Sequence, residues 1–337
     1  MRIGVAGVGR IGSMHATNLS GLAAVDEVLL FDPVPGRASQ AAALLGARTA
    51  PVDTLDELLA ASDGVLVATP TDTHAELLRR CLAARTPALC EKPIAGDLDT
   101  LQALIDEVSA AGIAVLVGFQ RRFDPAVVEL HRRIRAGELG TIYQVRAVGN
   151  DATPPDLGYL PASGGIFADL LIHDLDAVPW LVGEPVVEVY ASGSVLVDKA
   201  FADADDVDNA VAVLRFAGGA HAVLFGGRHD PLGYDHRIEV LGSRDSLAVG
   251  LDPRTPVRSL EPGGPQAGAD AYPGFQQRFH RAYANEMAVF VDVVAGRAEN
   301  PSPIRDSLVS LRLAQACDAS RRRGAPVRLD HTVGTHG

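Results

Sequence analysis

The chain has 337 residues, more than a single hydrophobic core usually serves, so two domains are expected. Hydrophobic residues at 47% and charged residues at 21% exclude a disordered chain, and no apolar run reaches the roughly 18 residues that a membrane span needs. A formal net charge of −12 argues against nucleic acid or an anionic membrane as partner, since phosphates attract a basic footprint, and leaves a small molecule as the expected ligand.

The N-terminal RIGVAGVGRIG places an apolar strand, Ile3 to Ala6, directly before Gly7, Gly9 and Gly12, with a helical segment following through His15 and Leu19. This is G-x-G-x-x-G in a strand–turn–helix setting. Gly7 permits the tight turn, Gly9 lets backbone approach a pyrophosphate, and Gly12 lets helix and strand pack closely. With Arg10 and Ile11 completing the loop, the helix N-terminus faces the phosphates. The next strand, VDEVLLFD, ends in Asp32, 20 residues past Gly12, where an acid binds a ribose 2′-hydroxyl. A carboxylate there repels a 2′-phosphate, so NAD is expected over NADP, with Arg37 as the one feature that softens the preference. The start has no secretory anatomy, and a cytoplasmic protein is expected. Cys81, Cys90 and Cys317 form no CxxC pair and read as reduced, buried thiols.

The alternation continues with a strand at 63–70, a helix at 72–84, a strand at 87–93, a helix at 98–111 and a strand at 113–119. Near-continuous apolar strands alternating with helices predict a parallel sheet covered on both faces. Ligands bind such sheets at the carboxyl ends of the strands, where Thr69, Pro70, Glu91 and Lys92 fall. Lys92 is one of only two lysines in the chain, the other being Lys199.

Beyond Phe119 the pattern changes to a helix at 125–136, a strand at 142–150, a helix at 166–182, four strands in 185–243 and helices at 279–295 and 304–323. Alternating strands with glycine-containing turns predict an antiparallel sheet. The expected fold is therefore an N-terminal Rossmann dinucleotide-binding domain, residues 1–119, of class α/β. An α+β domain with an open-faced, mainly antiparallel sheet follows, residues 120–331. An uncovered sheet face predicts a partner subunit.

The stretch SGGIFADLLIHDLD, 163–176, sets charges in an apolar helix. On a continuous helix Asp169, His173 and Asp176 share one face at spacing i, i+4, i+7. An Asp–His bond that satisfies two core polar groups explains this without catalysis.

Together GVGRIG (7–12), TPTDTHAE (69–76), EKP (91–93), RRFD (121–124) and GGIFADLLIHDLD (164–176) resemble the glucose–fructose oxidoreductase, inositol dehydrogenase and rhizopine-catabolism (Gfo/Idh/MocA) family. The resemblance runs over almost the whole chain and is strongest to its inositol 2-dehydrogenase branch, through GYD (233–235) and FQQRFHRAYANEMAVFVD (275–292). It implies a dimer or tetramer formed through the open sheet. It also implies NAD-dependent oxidation of a secondary hydroxyl of a cyclic polyol, myo-inositol to 2-keto-myo-inositol, with Lys92, Asp169 and His173 as catalytic residues. His74 is implied near the cofactor, and Arg121, Asn150, Asp151, Tyr234 and Tyr283 are implied as polyol contacts. The segment GNDATPPDLGYL departs from the inositol enzymes, which carry a histidine or arginine before the acidic or amide residue. Scyllo-inositol, a related sugar or an aminocyclitol therefore remain open as substrates, and an NAD-dependent glycosidase of the same fold remains open as an activity. A non-catalytic dinucleotide sensor is the third reading, disfavoured by the intact Lys92, Asp169 and His173.

Alcohol oxidation itself asks for such residues. A base with a pKa near neutrality must take the hydroxyl proton, which suits His173; Asp169 can accept its other ring N–H, and Lys92 can stabilise the developing alkoxide. No metal is expected: the spacing of His229, Asp230 and His236 matches no closed zinc template.

Overall fold

The computed structural model describes residues 1–264 and 270–329, and the chain divides into two compact units. The first comprises Met1–Asp124 with Arg281–Leu308, the second Pro125–His280 with residues from Val309 onward. The expected domain end at 331 lies outside the described residues.

The first unit is built on a six-stranded parallel sheet in the order β3-β2-β1-β4-β5-β6. Its strands are β1 (Arg2–Ala6), β2 (Glu27–Phe31), β3 (Thr49–Pro51), β4 (Gly64–Val67), β5 (Ala88–Cys90) and β6 (Val115–Val117). β4, β5 and β6 are buried at every residue, as strands with both faces covered must be. The strand order reverses between β1 and β4, the place where open α/β sheets bind ligands at their carboxyl ends. β3 and the helices Arg37–Leu45 and Leu55–Ala61 were not anticipated from the sequence.

The helix His280–Val294, which the sequence reading set in the second domain, packs in the first unit. Met287, Phe290 and Val291 are buried with Ile3, Val5, Leu30, Leu66 and Leu89. Gly64 of β4 makes room for it, since a Cβ there would lie 2.6 Å from Val294. The returning segment is then bonded to β6: Val117 N–H donates to Ser302 O (2.8 Å), and Ser302 Oγ–H donates to Val117 O (2.9 Å). A buried Arg122–Asp306 ion pair at 2.6 Å fixes the same segment. An amphipathic helix carries no mark of which sheet it covers, so chain order alone misassigns it.

The second unit holds a seven-stranded sheet in the order β12-β11-β7-β10-β9-β8-β13. The strands are β7 (Ile142–Asn150), β8 (Val186–Ser194), β9 (Asn209–Phe216), β10 (His221–Gly227), β11 (Asp235–Gly242), β12 (Ser246–Val249) and β13 (Val327–Arg328). Only β7 and β10 pair parallel, so the sheet is mixed and mainly antiparallel. Its inner face, with Val145, Ala147, Ala212, Leu214, Leu224 and Ile238, packs against the helices Pro125–Arg135 and Ile172–Val182 and the stretch of Ser307–Arg323 from Val309 on. The outer face is different in kind. There Val148, Phe225 and Val211 are cross-strand neighbours, as are Val223, Val213 and Tyr190. Phe225 is 46% exposed and Tyr190 41%. Arg146–Glu239 (3.2 Å) and Arg215–Glu188 (3.4 Å) ion pairs flank this apolar strip.

Candidate active site

In the first unit the glycine loop takes the conformation its sequence demands. Gly7 has φ of +91°, and a Cβ there would lie 2.6 Å from the Ala68 carbonyl oxygen. A Cβ on Gly12 would collide with the Gly7 carbonyl, so the first turn of the helix sits directly on the loop. At Gly9 a Cβ would meet nothing within 4 Å, which is the bare side that a pyrophosphate approaches. The helix Arg10–Ser20, which opens with Arg10 and Ile11, has Gly9 at its N-cap and no side-chain cap, so its N-terminus faces the loop as an anion-binding end would. Asp32, at the end of β2, accepts from Val8 N–H (3.0 Å) and Val34 N–H (2.9 Å). The guanidinium of Arg37 lies over it at 3.3 Å, half exposed and able to swing away. A bare glycine, an uncapped helix start and a fixed carboxylate fit a dinucleotide.

Thr69 and Pro70 follow β4, and Glu91 and Lys92 follow β5, at the carboxyl ends as expected. His74 is buried, and its ring nitrogens reach the carbonyls of Pro93 (2.9 Å) and Thr69 (2.8 Å), so it ties the two strand ends together. The Lys92–Pro93 peptide bond is cis. The Glu91 carboxylate turns inward. Its Oε1 meets His15 Nε2 at 2.7 Å, and its Oε2 accepts from Lys92 N–H at 3.3 Å. Gly118 is needed there, because a Cβ would lie 3.0 Å from Oε2. Tyr283 sets its ring edge-on to His15 at 5.6 Å, and Arg121 is buried in the 3-10 turn Gln120–Phe123. Beside them Glu286, on the helix His280–Val294, is fully buried, and neither carboxylate oxygen has a hydrogen-bond partner among the described residues. Burial, and secondarily the charge of Glu91, push its carboxyl well above the ordinary range.

In the second unit the 163–176 stretch corrects the continuous-helix reading. Two helices, Ile166–Asp169 and Ile172–Val182, meet at Leu170 and Leu171. Leu171 N–H reaches back five residues to Ile166 O (2.9 Å), a π-type turn of the kind frequent at functional sites. The extra residue breaks the i, i+4, i+7 register. Asp169 and His173 stay partly exposed while Asp176 is buried. Asp174, also buried, lies 3.6 Å from His236. The junction rests on β10 at Gly226, where a Cβ would lie 2.9 Å from Leu171.

The unexpected member is Arg228, just past β10. Its side chain is 3% exposed and spans two carboxylates: Nη2 donates to Asp169 Oδ2 (2.9 Å) and Nη1 to Asp151 Oδ2 (3.3 Å). Burial pulls the guanidinium down, but the Asp169 and Asp151 charges outweigh this and hold its pKa above the ordinary value. Tyr159 O–H donates to the other Asp169 oxygen at 3.3 Å. Asp151 is anchored through its backbone to Gly227 O (2.8 Å) and Asp230 N–H (2.7 Å). Asn150 ends β7 opposite Gly227, and buried Tyr234 packs edge-on to Phe279 at 6.2 Å. A signal for Arg228 existed in the sequence: alternation of Ala222, Leu224 and Gly226 puts position 228 on the inner face, where a charge needs partners.

Two family models match the chain. The oxidoreductase family with NAD-binding Rossmann fold matches residues 1–119, and the Gfo/Idh/MocA C-terminal domain matches residues 127–248. The chain belongs to the Gfo/Idh/MocA oxidoreductase family. Among members of that family, an inositol 2-dehydrogenase of Rhizobium meliloti is 37% identical over 94% of this chain and 95% of its own length. A myo-inositol 2-dehydrogenase of Thermotoga maritima is 35% identical over 99% of this chain and 100% of its own. The crystal structure of a myo-inositol dehydrogenase from Corynebacterium glutamicum superposes with a TM-score of 0.88 at 33% identity, covering 98% and 99% of the two chains. As the family's Rossmann domain requires, this oxidoreductase uses NAD. Among the described residues no helix is long and apolar enough to cross a membrane.

Proposed function

We propose that this chain is a cytoplasmic inositol 2-dehydrogenase that oxidises myo-inositol to 2-keto-myo-inositol with NAD. The observation that carries the reading is similarity over nearly the full length of both chains to two proteins named for that activity. The cofactor contacts are Gly7, Gly9, Arg10, Ile11, Gly12, Asp32, Thr69, Pro70, His74, Glu91 and Lys92, of which His74 and Glu91 act by holding the strand ends in place. Bound there, NAD supplies the hydride acceptor at its nicotinamide ring.

The chain supplies the proton chemistry. His173 takes the hydroxyl proton, Asp169 orients and stabilises the resulting imidazolium, and Lys92 hydrogen-bonds the oxygen as negative charge develops on it. Arg121, Asn150, Asp151 and Tyr234 bind the remaining hydroxyls. A base of this kind contributes about 10²–10⁴-fold to the rate.

The second unit, Pro125–His280 with residues from Val309 onward, is in this reading the substrate-binding and oligomerisation domain. Its outer sheet face, apolar at the centre and ion-paired at the flanks, supports a homo-oligomer, dimer or tetramer, that covers it. A single species of monomer mass in sedimentation at micromolar concentration would remove the oligomer.

The test of function is the initial rate of NADH absorbance with NAD or NADP and a panel of myo-, scyllo- and chiro-inositol, glucose and xylose. Turnover with NAD and myo-inositol is expected. Turnover confined to glucose or xylose, or none with NAD, overturns the reading.

A further inference from the structure

We infer that Arg228 is a positioning residue for the reaction: its buried guanidinium joins Asp169 to Asp151 and thereby sets the proton affinity of His173. The inference rests on the proposed roles of Asp169 and His173.

Three features of the fold put the guanidinium where it is. β10 alternates so that position 228 faces inward, Gly226 lets the Leu170–Leu171 junction settle on the strand, and Arg228 N–H is anchored to Asp208 O at 2.8 Å. Two carboxylates that are 20% and 16% exposed then converge on one cation. A lone ionised Asp169 would strongly favour the imidazolium form of His173, and a histidine already protonated accepts no further proton. Sharing the Asp169 charge with a guanidinium weakens that pull while leaving the carboxylate an acceptor. Asp151 works in the opposite direction, because it draws part of the guanidinium charge away from Asp169. The planar fork reaches both carboxylates at once, which the point charge of a lysine does not.

Other polar groups surround the trio. Tyr159, from the 3-10 turn Leu157–Tyr159, bonds Asp169. Asp206 caps the helix start by accepting from Ile166 N–H at 2.9 Å. Asp208 spends its carboxylate on the N–H groups of Leu196, Val197 and Asp198. Asp230 meets Asp151 through its backbone. None of these is a cation, and Arg228 is a positive charge held directly against Asp169, at 2.9 Å.

The experiment titrates His173 by NMR in protein labelled with [13Cε1]histidine, its resonance assigned among the ten histidines by its loss in His173→Gln. Arg228→Gln is expected to raise the His173 midpoint by about one pH unit, and Arg228→Lys by less. Asp151→Asn is expected to lower it. In turnover with NAD and myo-inositol, the acid limb of kcat/KM moves up with the NMR midpoint in Arg228→Gln, and kcat/KM at pH 7 falls by about three- to five-fold. A purely structural role gives no opposite-signed pair, so midpoints that stay within about 0.2 units in folded Arg228→Lys and Asp151→Asn overturn the inference even if Arg228→Gln does not fold. Because the titration needs no turnover, opposite shifts in a wild type that oxidises no polyol uphold the bridge and instead overturn the proposed function.

Discussion

Replacing Glu286 by Gln tests whether the carboxyl buried behind the EKP strand end is neutral in the folded protein. Glu286 is fully buried with both oxygens unpartnered among the described residues, and burial and Glu91 raise its pKa well above the ordinary value. Below about pH 4.3 folded and unfolded chains both hold the proton, so the group does not alter stability. Above it the unfolded chain releases a proton that the folded chain keeps, and the wild type loses about 1.4 kcal/mol of stability per pH unit until the raised folded pKa is reached. Glutamine has the same shape and no proton to release. Between pH 4.5 and 5.5, Glu286→Gln should therefore gain about 1 kcal/mol relative to wild type, with the two nearly equal at pH 4. Urea denaturation followed by circular dichroism at each pH measures this. Wild-type and variant stabilities that stay parallel over the interval would mean that Glu286 is ionised in the fold, and would refute the reasoning.

Asp32→Ser removes the carboxylate and releases Arg37 from its ion pair, so the ratio of kcat/KM for NADP to that for NAD should rise at least about tenfold, measured by initial rates; an unchanged ratio means that Asp32 does not choose the cofactor. Gly12→Ala places a methyl against the Gly7 carbonyl and should abolish NAD binding in calorimetry, whereas Gly9→Ala, which meets no protein atom, should fold normally and weaken NAD binding only through the lost approach of the phosphates. All three thiols are buried, and desolvation pushes Cys81 up to about 12 and Cys90 and Cys317 well above their ordinary values. Iodoacetamide at pH 8 should leave the native protein unmodified by mass spectrometry and add three adducts in denaturant.

The glycine loop, Asp32 and the strand ends were legible because they are local: a tight turn and a strand end are written in adjacent residues. The same holds for the helix Leu98–Ala111 and for β7, whose bounds match the sequence reading. The helix Leu55–Ala61 was missed although Thr54 and Glu57 form a capping box, a local signal that would have found it. The helix Arg37–Leu45 is alanine-rich and short, with little pattern to read. Other features were not local at all. Arg228 acquires its meaning from carboxylates 59 and 77 residues away, and Glu286 from a strand end on the far side of the sequence. Nothing in the spacing around Glu286 marks the return of its helix to the first sheet. The continuous helix expected over 166–182 failed at Leu170 and Leu171, where packing against Gly226 and a five-residue turn override the apolar periodicity.

The central claim is that this chain moves the hydride from C2 of myo-inositol to NAD. The most direct measurement incubates the protein with NAD and myo-inositol deuterated at C2 and determines the mass of the reduced cofactor. One deuterium in the reduced cofactor, 2-keto-myo-inositol as co-product, and loss of both with His173→Ala while NAD still binds, is the result expected. Reduced cofactor without deuterium places the oxidation at another carbon, and no reduced cofactor with NAD bound contradicts the inositol dehydrogenase assignment.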